Sequence, residues 1–275
     1  MRALGPRGQA RLAAVLAWVG WHLRIRRAVT LDNLRQAFPG WPAARREVVA
    51  REAYRHLALA AIEAVSADLV PDAALAERVV VDDWRGLDVL LAARQPVLVA
   101  SAHFGSWELL AEVMARRGVS LSAVVRPLAG AFNAWVFEVR RRAGVGLISE
   151  RGALRGMLRA LREGRAVVQL IDQALPSPRA LEVRFFGRAA TMTPALSLAA
   201  LRSGAPVFVV LAHRDGNVLR MVVEPVPLPP LAGRRAAVQA HAQALTDVLE
   251  RAVRAHPGQW LWLHRRWKPR PAGRR

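Results

Sequence analysis

From residue 79 to residue 171, short β-branched runs alternate with segments whose apolar residues recur at helical spacing. The pattern predicts strand 79–81, helix 86–94, strand 97–103, helix 107–117, strand 121–126, helix 131–142, strand 145–148, helix 152–163 and strand 166–171. Such alternation implies right-handed crossovers and a largely parallel sheet covered by helices. Further on, Val207 to Ala212 and Leu219 to Val226 predict two more strands, an antiparallel pair around Arg214-Asp215-Gly216-Asn217, and 234–255 predicts a last helix. Upstream, residues 28–66 read as two helical pieces broken at Phe38-Pro39-Gly40-Trp41-Pro42, with Arg45 to Val65 amphipathic and alanine-rich. The expected fold is α/β: a single domain, 28–271, with a largely parallel mixed central sheet flanked by helices. An N-terminal helical membrane-associating segment, 1–27, precedes it and a basic tail, 272–275, follows.

The N-terminal expectation rests on Leu12 to Leu23, LAAVLAWVGWHL, which lies between Arg2, Arg7 and Arg11 on one side and Arg24, Arg26 and Arg27 on the other. That run is shorter than the ~20 residues needed to span a bilayer. No small-residue cleavage site follows it, which argues against a secretory signal. An interfacial segment fits better, with Trp18 and Trp21 at headgroup level and the arginines meeting anionic lipid. A first helix simply packed on the domain is the alternative.

Composition narrows the function classes. The chain has 275 residues, 53% of them hydrophobic, enough for a sizeable core. It has no cysteine, which excludes disulfides, thiolate metal sites and a cysteine nucleophile. The formal net charge of +20 calls for polyanionic surroundings: nucleic acid, an anionic membrane face or an acidic protein. Only Lys268 among 41 basic residues is a lysine, which points to coding bias and lowers the weight of any single arginine. One tyrosine, no zinc-finger spacing and no reader motif argue against nucleic acid. No His-Glu-x-x-His or comparable ligand cluster occurs, and His213, His241, His256 and His264 are scattered, so neither metal nor cofactor is expected.

The chemistry centres on Pro96 to Leu110, PVLVASAHFGSWELL. Strand, turn and helix succeed one another there, with Gly105 suited to a tight turn and Ser106 to an N-cap. On a continuous helix, five residues at about 100° each would set His103 and Glu108 about 140° apart. With the turn between them, the Glu108 carboxylate would accept a hydrogen bond from one imidazole nitrogen and leave the other free to take a proton. Taken alone, this spacing equally describes a structural histidine tied to a nearby acid. His103, Arg126 and Asp172 each end a predicted strand, and ligands of such sheets collect beyond the carboxyl ends of strands. Leu109, Leu110, Val113 and Met114 read as core rather than as the lining of a channel. Trp260, Trp262 and Trp267 read either as an interfacial belt or, around Trp262, as buried strand.

His103-Phe-Gly-Ser-Trp-Glu108, Arg126-Pro127, Asp172-Gln173, Phe185-Phe186-Gly187 with Thr191, and the block from Pro257 to Pro271 together resemble the motifs of the bacterial lipid A biosynthesis acyltransferases, within the lysophospholipid acyltransferase superfamily. Arg27 to Pro39 is similar to the family's entry segment, and the likeness runs over about residues 20–271. The resemblance implies transfer of a fatty acyl chain from an acyl carrier protein thioester to a hydroxyl of a glycolipid at the cytoplasmic face of the inner membrane. It assigns His103 as general base and Glu108 as its orienting acid, and ties Arg126, Asp172 and Gln173 to the substrate-binding site. A thioester is already activated, so no covalent nucleophile is required, in keeping with the absence of cysteine and of a Gly-x-Ser-x-Gly elbow. Arg126 would hold an acceptor phosphate or the oxyanion, and Asp172 would position Arg126 or a substrate hydroxyl. The basic stretch Arg265 to Arg275 would meet anionic lipid, glycolipid phosphates or the acidic carrier protein. A different acceptor, mannosylated phosphatidylinositol or a lysophospholipid, and a non-catalytic basic membrane or nucleic-acid-binding protein are the competing readings. The chain departs from the family in a shorter N-terminal apolar segment and in Ser106, where asparagine is common.

Overall fold

The chain opens with α1 (Pro6–His22), α2 (Arg27–Ala37) and α3 (Ala43–Ser66) ahead of the first strand. In this computed structural model the residues described are 5–66, 70, 71, 74, 75, 77–126, 138, 140–142, 144–230 and 233–268. Pro6 opens α1 at a position where its missing N–H is harmless. The expected break between α2 and α3 falls at the proline-rich stretch, where Phe38 and Trp41 stack with ring centroids 3.7 Å apart. The chain continues through β1 (Val79–Val81), α4 (Leu87–Ala92), β2 (Val97–Ser101), α5 (Trp107–Arg116), β3 (Leu121–Val125), β4 (Gly146–Ser149), α6 (Ala153–Arg162) and β5 (Ala166–Leu170). After these come β6 (Leu181–Phe185), β7 (Arg188–Met192), α7 (Ala195–Ser203), β8 (Val207–Asp215), β9 (Val218–Pro225), α8 (Arg234–Ala255) and a single 3-10 turn at Pro257–Gln259. The helix expected at 131–142 lies largely outside the described residues; 138 and 140–142 are helical.

Among the described residues, seven strands form the main sheet in the order β1-β9-β8-β2-β5-β3-β4. Only β8 and β9 are antiparallel, and they make the hairpin anticipated around Gly216-Asn217. All other pairings in that sheet are parallel, the mixed, largely parallel arrangement that the alternation implied. Along β2 the pleat sends successive side chains to opposite faces. Leu98 and Ala100 pack with Met157, Leu161, Leu196 and Leu245 beneath α6, α7 and α8. Val97 and Val99 pack with Leu109, Val113, Phe208 and Leu219 beneath α5. Burial on both faces explains why β2 reads as a continuous apolar run.

The β6–β7 hairpin was not expected, although Leu181-Glu-Val-Arg-Phe185 alternates at period two. Its two-residue loop is Phe186-Gly187, with φ of 53° and 71°, the twist-matched turn that favours glycine. Phe186 holds this conformation inside an aromatic cluster with Phe38 and Trp262.

At the N-terminus, α1 has two different faces. Gln9, Ala13, Ala17 and Trp21 are buried, and the helix packs on α3. Val15, Leu16, Trp18 and Val19, followed by Leu23 and Ile25, are exposed, Trp18 by 61%. Trp21, expected at headgroup level, instead lies inside against Tyr54. Among the described residues no helix is long and apolar enough to cross a membrane.

Candidate active site

β2 and β5 are parallel neighbours with Ser101 opposite Leu170. Two residues further on, the same register brings His103 opposite Asp172. The Asp172 carboxylate is 2% exposed and accepts three hydrogen bonds. His103 Nδ1–H donates to Oδ1 at 2.9 Å, the His103 backbone N–H to Oδ2 at 3.0 Å, and Trp260 Nε1–H to Oδ2 at 2.9 Å. Burial opposes the charge on Asp172, but the imidazole and the three donors outweigh it and hold its pKa below the ordinary carboxylate value. Burial likewise opposes protonation of His103. The Asp172 charge and hydrogen bond, with Glu108 further off, outweigh burial and the repulsion of Arg140, so its pKa is raised. The Gln173 amide N–H donates to His103 Nε2 at 3.3 Å. This arrangement leaves the proton on Nδ1 and a basic lone pair on Nε2.

Glu108 does not play the part the spacing suggested for it. Its two oxygens accept from Arg140, one of them from Arg140 Nε at 3.0 Å, and from Trp107 Nε1 at 3.0 Å. Glu108 lies in the first turn of α5, and its carboxylate is committed to Arg140 rather than to the imidazole. It reaches His103 through its field alone. Arg126 ends β3 on the same rim, exposed, with Nε within 2.9 Å of both oxygens of Glu150. The pairing of Asp172 with Arg126, one of the expected arrangements, is therefore replaced by Asp172 with His103 and Arg126 with Glu150.

The turn that carries His103 is held by elements distant in sequence. Gly105 has φ of 57°, and a Cβ there would lie 1.8 Å from the carbonyl oxygen of Ala212 in β8. Its N–H donates to Gln259 O at 2.9 Å, Leu261 N–H donates to His103 O at 3.1 Å, and Phe104 bridges Trp260. Gln259 in turn exchanges two side-chain hydrogen bonds with the backbone of Arg214. Trp260 and Trp262 are 3% and 0% exposed, so they buttress the site from inside and form no interfacial belt. Ser106 occupies the N-cap position of α5 but makes no cap; its hydroxyl donates to Glu63 Oε2 at 2.5 Å.

Two residues of this shell escaped sequence reasoning. Glu63, 1% exposed on α3, also pairs with Arg78 and Arg214 and so ties α3 to the turn after His103 and to β8. Its position in an alanine-rich amphipathic helix gave no signal. His264, considered only as one of several scattered histidines, accepts from the Ala174 backbone N–H at 3.3 Å. Burial and the nearby Lys268 push its pKa down to about 4, which keeps it neutral and able to accept.

An apolar cavity of about 390 Å³ lies beneath α5, and its lining includes Ser101 and Trp107 near the His103 turn. Trp107 forms one side of its mouth with Glu108 and Arg140, and the Trp107 ring meets that of His103 at 5.2 Å. Ser101, Val125 and Leu170, at the carboxyl ends of their strands, mark the top. Leu121, Ala166, Val119, Met114 and Leu91 mark the far end, about 13 Å lower at ~3.3 Å per strand residue. Leu109, Leu110, Val113 and Met114 are all buried core as expected, and Leu110 and Met114, one helical turn apart, also line the cavity. The lining of this slot suits a hydrocarbon chain chemically.

A family model described as bacterial lipid A biosynthesis acyltransferase matches residues 1–269. The chain is 30% identical over 260 residues to the lipid A biosynthesis palmitoleoyltransferase of Escherichia coli K12, covering 91% of this chain and 81% of that protein. It is 27% identical over 263 residues to the lipid A biosynthesis acyltransferase of Haemophilus influenzae Rd, covering 92% and 82%. To the lipid A biosynthesis lauroyltransferase of Escherichia coli K12 it is 26% identical over 268 residues, covering 96% and 86%.

Proposed function

The chain belongs to the bacterial lipid A biosynthesis acyltransferase family, and from that premise we propose that it moves a fatty acyl chain from an acyl carrier protein thioester to a hydroxyl of a lipid A-type glycolipid. The observation that carries this reading is the His103–Asp172 pair together with an apolar cavity whose lining includes Ser101 and Trp107 near the His103 turn. His103 Nε2 takes the proton of the acceptor hydroxyl as its oxygen attacks the thioester carbonyl. The tetrahedral oxyanion collapses, the carbon–sulfur bond breaks, and the imidazolium returns its proton to the departing thiolate. Asp172 fixes the tautomer and steadies the imidazolium. The Gln173 amide, now on Nε2, is displaced by the hydroxyl and becomes a donor to the oxyanion. Glu108 tunes His103 electrostatically while its pair with Arg140 shapes the cavity mouth. Arg126 contributes to acceptor binding only where a phosphate outcompetes Glu150.

The test is transfer by the purified protein from a charged acyl carrier protein to a lipid A precursor, read by mass spectrometry as one added ester. Esterification of a lysophospholipid or a mannosylated phosphatidylinositol, with the precursor untouched, would replace this acceptor.

The cavity yields a second expectation. Ala123 lies halfway along β3 on its wall, so Ala123→Phe shortens the slot. Each methylene denied burial costs about 0.8 kcal/mol. In a competition between donors of graded length, the variant should shift preference toward shorter chains by about tenfold or more. An unchanged profile would remove the cavity from the acyl-binding role.

Work at the cytoplasmic face of the inner membrane is part of the same proposal, supported by the exposed apolar side of α1 beside Arg7, Arg11 and Arg24. Trp18→Glu is expected to weaken binding to phosphatidylglycerol vesicles at least about tenfold in a flotation assay. Equal binding would assign the attachment elsewhere.

A further inference from the structure

Arg155, Arg159 and Arg162 form an exposed row along one side of α6, spanning about 10 Å at ~1.5 Å per residue, and exposed Arg151 precedes the helix on the same groove. They line a groove of about 620 Å³ floored by Leu147 and Ile148 of β4. Gly156 lets α6 lie close against that floor, since a Cβ there would come within 2.5 Å of Ile148 Cγ2. We infer that this groove is the docking surface for the acidic carrier protein that delivers the acyl chain, a proposal that rests on the function put forward above.

Charge is the first support. Among the described residues no carboxylate pairs with any of the four arginines, as is also true of exposed Arg11, Arg55, Arg202 and Arg235 on other helices, but these four lie together on one groove. The acid that opens this segment, Glu150, is taken by Arg126. Like charges at i,i+4 cost a helix about 0.2–0.5 kcal/mol per pair. Nothing within α6 offsets that, and a partner presenting a row of carboxylates would.

Position is the second. β4 runs parallel to β3, and through β5 to β2, so α6 begins at the rim that carries His103. Three strand spacings of ~4.8 Å, about 14 Å, separate the ends of β4 and β2 along the rim, and because α6 covers the face opposite α5 and the cavity, the thioester arm would pass over that rim to reach the slot.

The surroundings favour a protein over a lipid surface. The apolar residues of α6 turn inward, with Met157 and Leu161 buried, and no large exposed apolar side chain accompanies the arginines, in contrast to α1. A carrier must also arrive loaded and leave empty at each turnover. Exposed cations suit that exchange because they speed encounter without building a slow apolar interface.

The test compares wild type with the double variant Arg155→Glu, Arg159→Glu, using acyl carrier protein charged with a saturated fatty acid and the uncharged N-acetylcysteamine thioester of the same acid. The variant should raise KM for the carrier-borne donor at least about tenfold at low salt, with kcat and the small-thioester rate unchanged and thermal stability equal or higher. Fluorescence anisotropy with labelled carrier should show the same loss of binding. An unchanged KM, or equal loss with both donors, would overturn the assignment while leaving acyl transfer in place. Lost binding to phosphatidylglycerol vesicles with carrier binding intact would give the groove to the membrane instead. Wild-type transfer from the small thioester but not from the carrier would overturn the carrier as donor, and the docking surface with it.

Discussion

Asp172→Asn should reduce acyl transfer by about 10³–10⁴-fold, close to the effect of His103→Ala and in the range known for the equivalent change in serine-protease triads. The reason is geometric. His103 N–H and Trp260 Nε1–H both converge on Oδ2, so an asparagine would place its oxygen there and turn its NH2 toward His103 Nδ1. The imidazole would then carry its proton on Nε2 and lose its capacity as a base. Glu108→Gln should behave differently. Glu108 is one of the groups that raise the His103 pKa, so its neutralisation lowers that pKa. General-base catalysis requires neutral His103, so in wild type kcat/KM rises with pH through a value above the ordinary imidazole pKa of about 6.5. In Glu108→Gln that rising limb should move to lower pH with much of the plateau rate retained. A pH–rate profile separates the cases. Equal losses from Glu108→Gln and Asp172→Asn would show that the orienting acid is misassigned.

Gly105→Ala should destabilise the fold by about 3 kcal/mol and displace the catalytic turn, combining a left-handed backbone cost of roughly 1–2 kcal/mol with overpacking of about 1–3 kcal/mol. The new methyl group would meet the Ala212 carbonyl oxygen at 1.8 Å and its carbon at 2.9 Å, backbone atoms in the middle of a paired strand. Gly216 gives the control. It has the same φ of 57° with nothing within 4 Å of an added methyl, so Gly216→Ala should show only the backbone cost. Thermal unfolding of the two variants isolates the steric part, expected as a difference of several degrees in midpoint. Matching midpoints would mean that β8 yields to the methyl and that the close approach is not needed.

Local patterns revealed what local physics controls. β2 declares itself as an apolar run because both its faces are buried, and the turn after His103 declares itself through Gly105. The choice between Glu108 and Asp172 is not local. It depends on the pairing of Ser101 with Leu170 across two strands separated by several intervening elements, and nothing near residue 103 encodes that register. Chain proximity favoured Glu108, and Arg140 claimed it. The cavity was hidden for a similar reason. Leu110 and Met114 have the periodicity of core residues, and only the fit of α5 over the small side chains Ala123 and Ala166 leaves space beside them. Glu63 and His264 act through contacts to the turn and to the Asp172 loop that helical or loop composition cannot announce.

The clasp made by Gln259, Trp260 and Leu261 on the His103 turn bears on how the protein is born. A nascent chain that has left the ribosome only through β9 already contains the base and its acid, yet lacks the indole that completes the acid's hydrogen bonds and the backbone partners that pin the bend. The hydrogen bonds around Asp172 are therefore completed only by residues near the C-terminal end of the domain. Trp260 and Trp262 are also core residues, so a chain that ends upstream of Gln259 should lose the pinned turn together with part of the aromatic core.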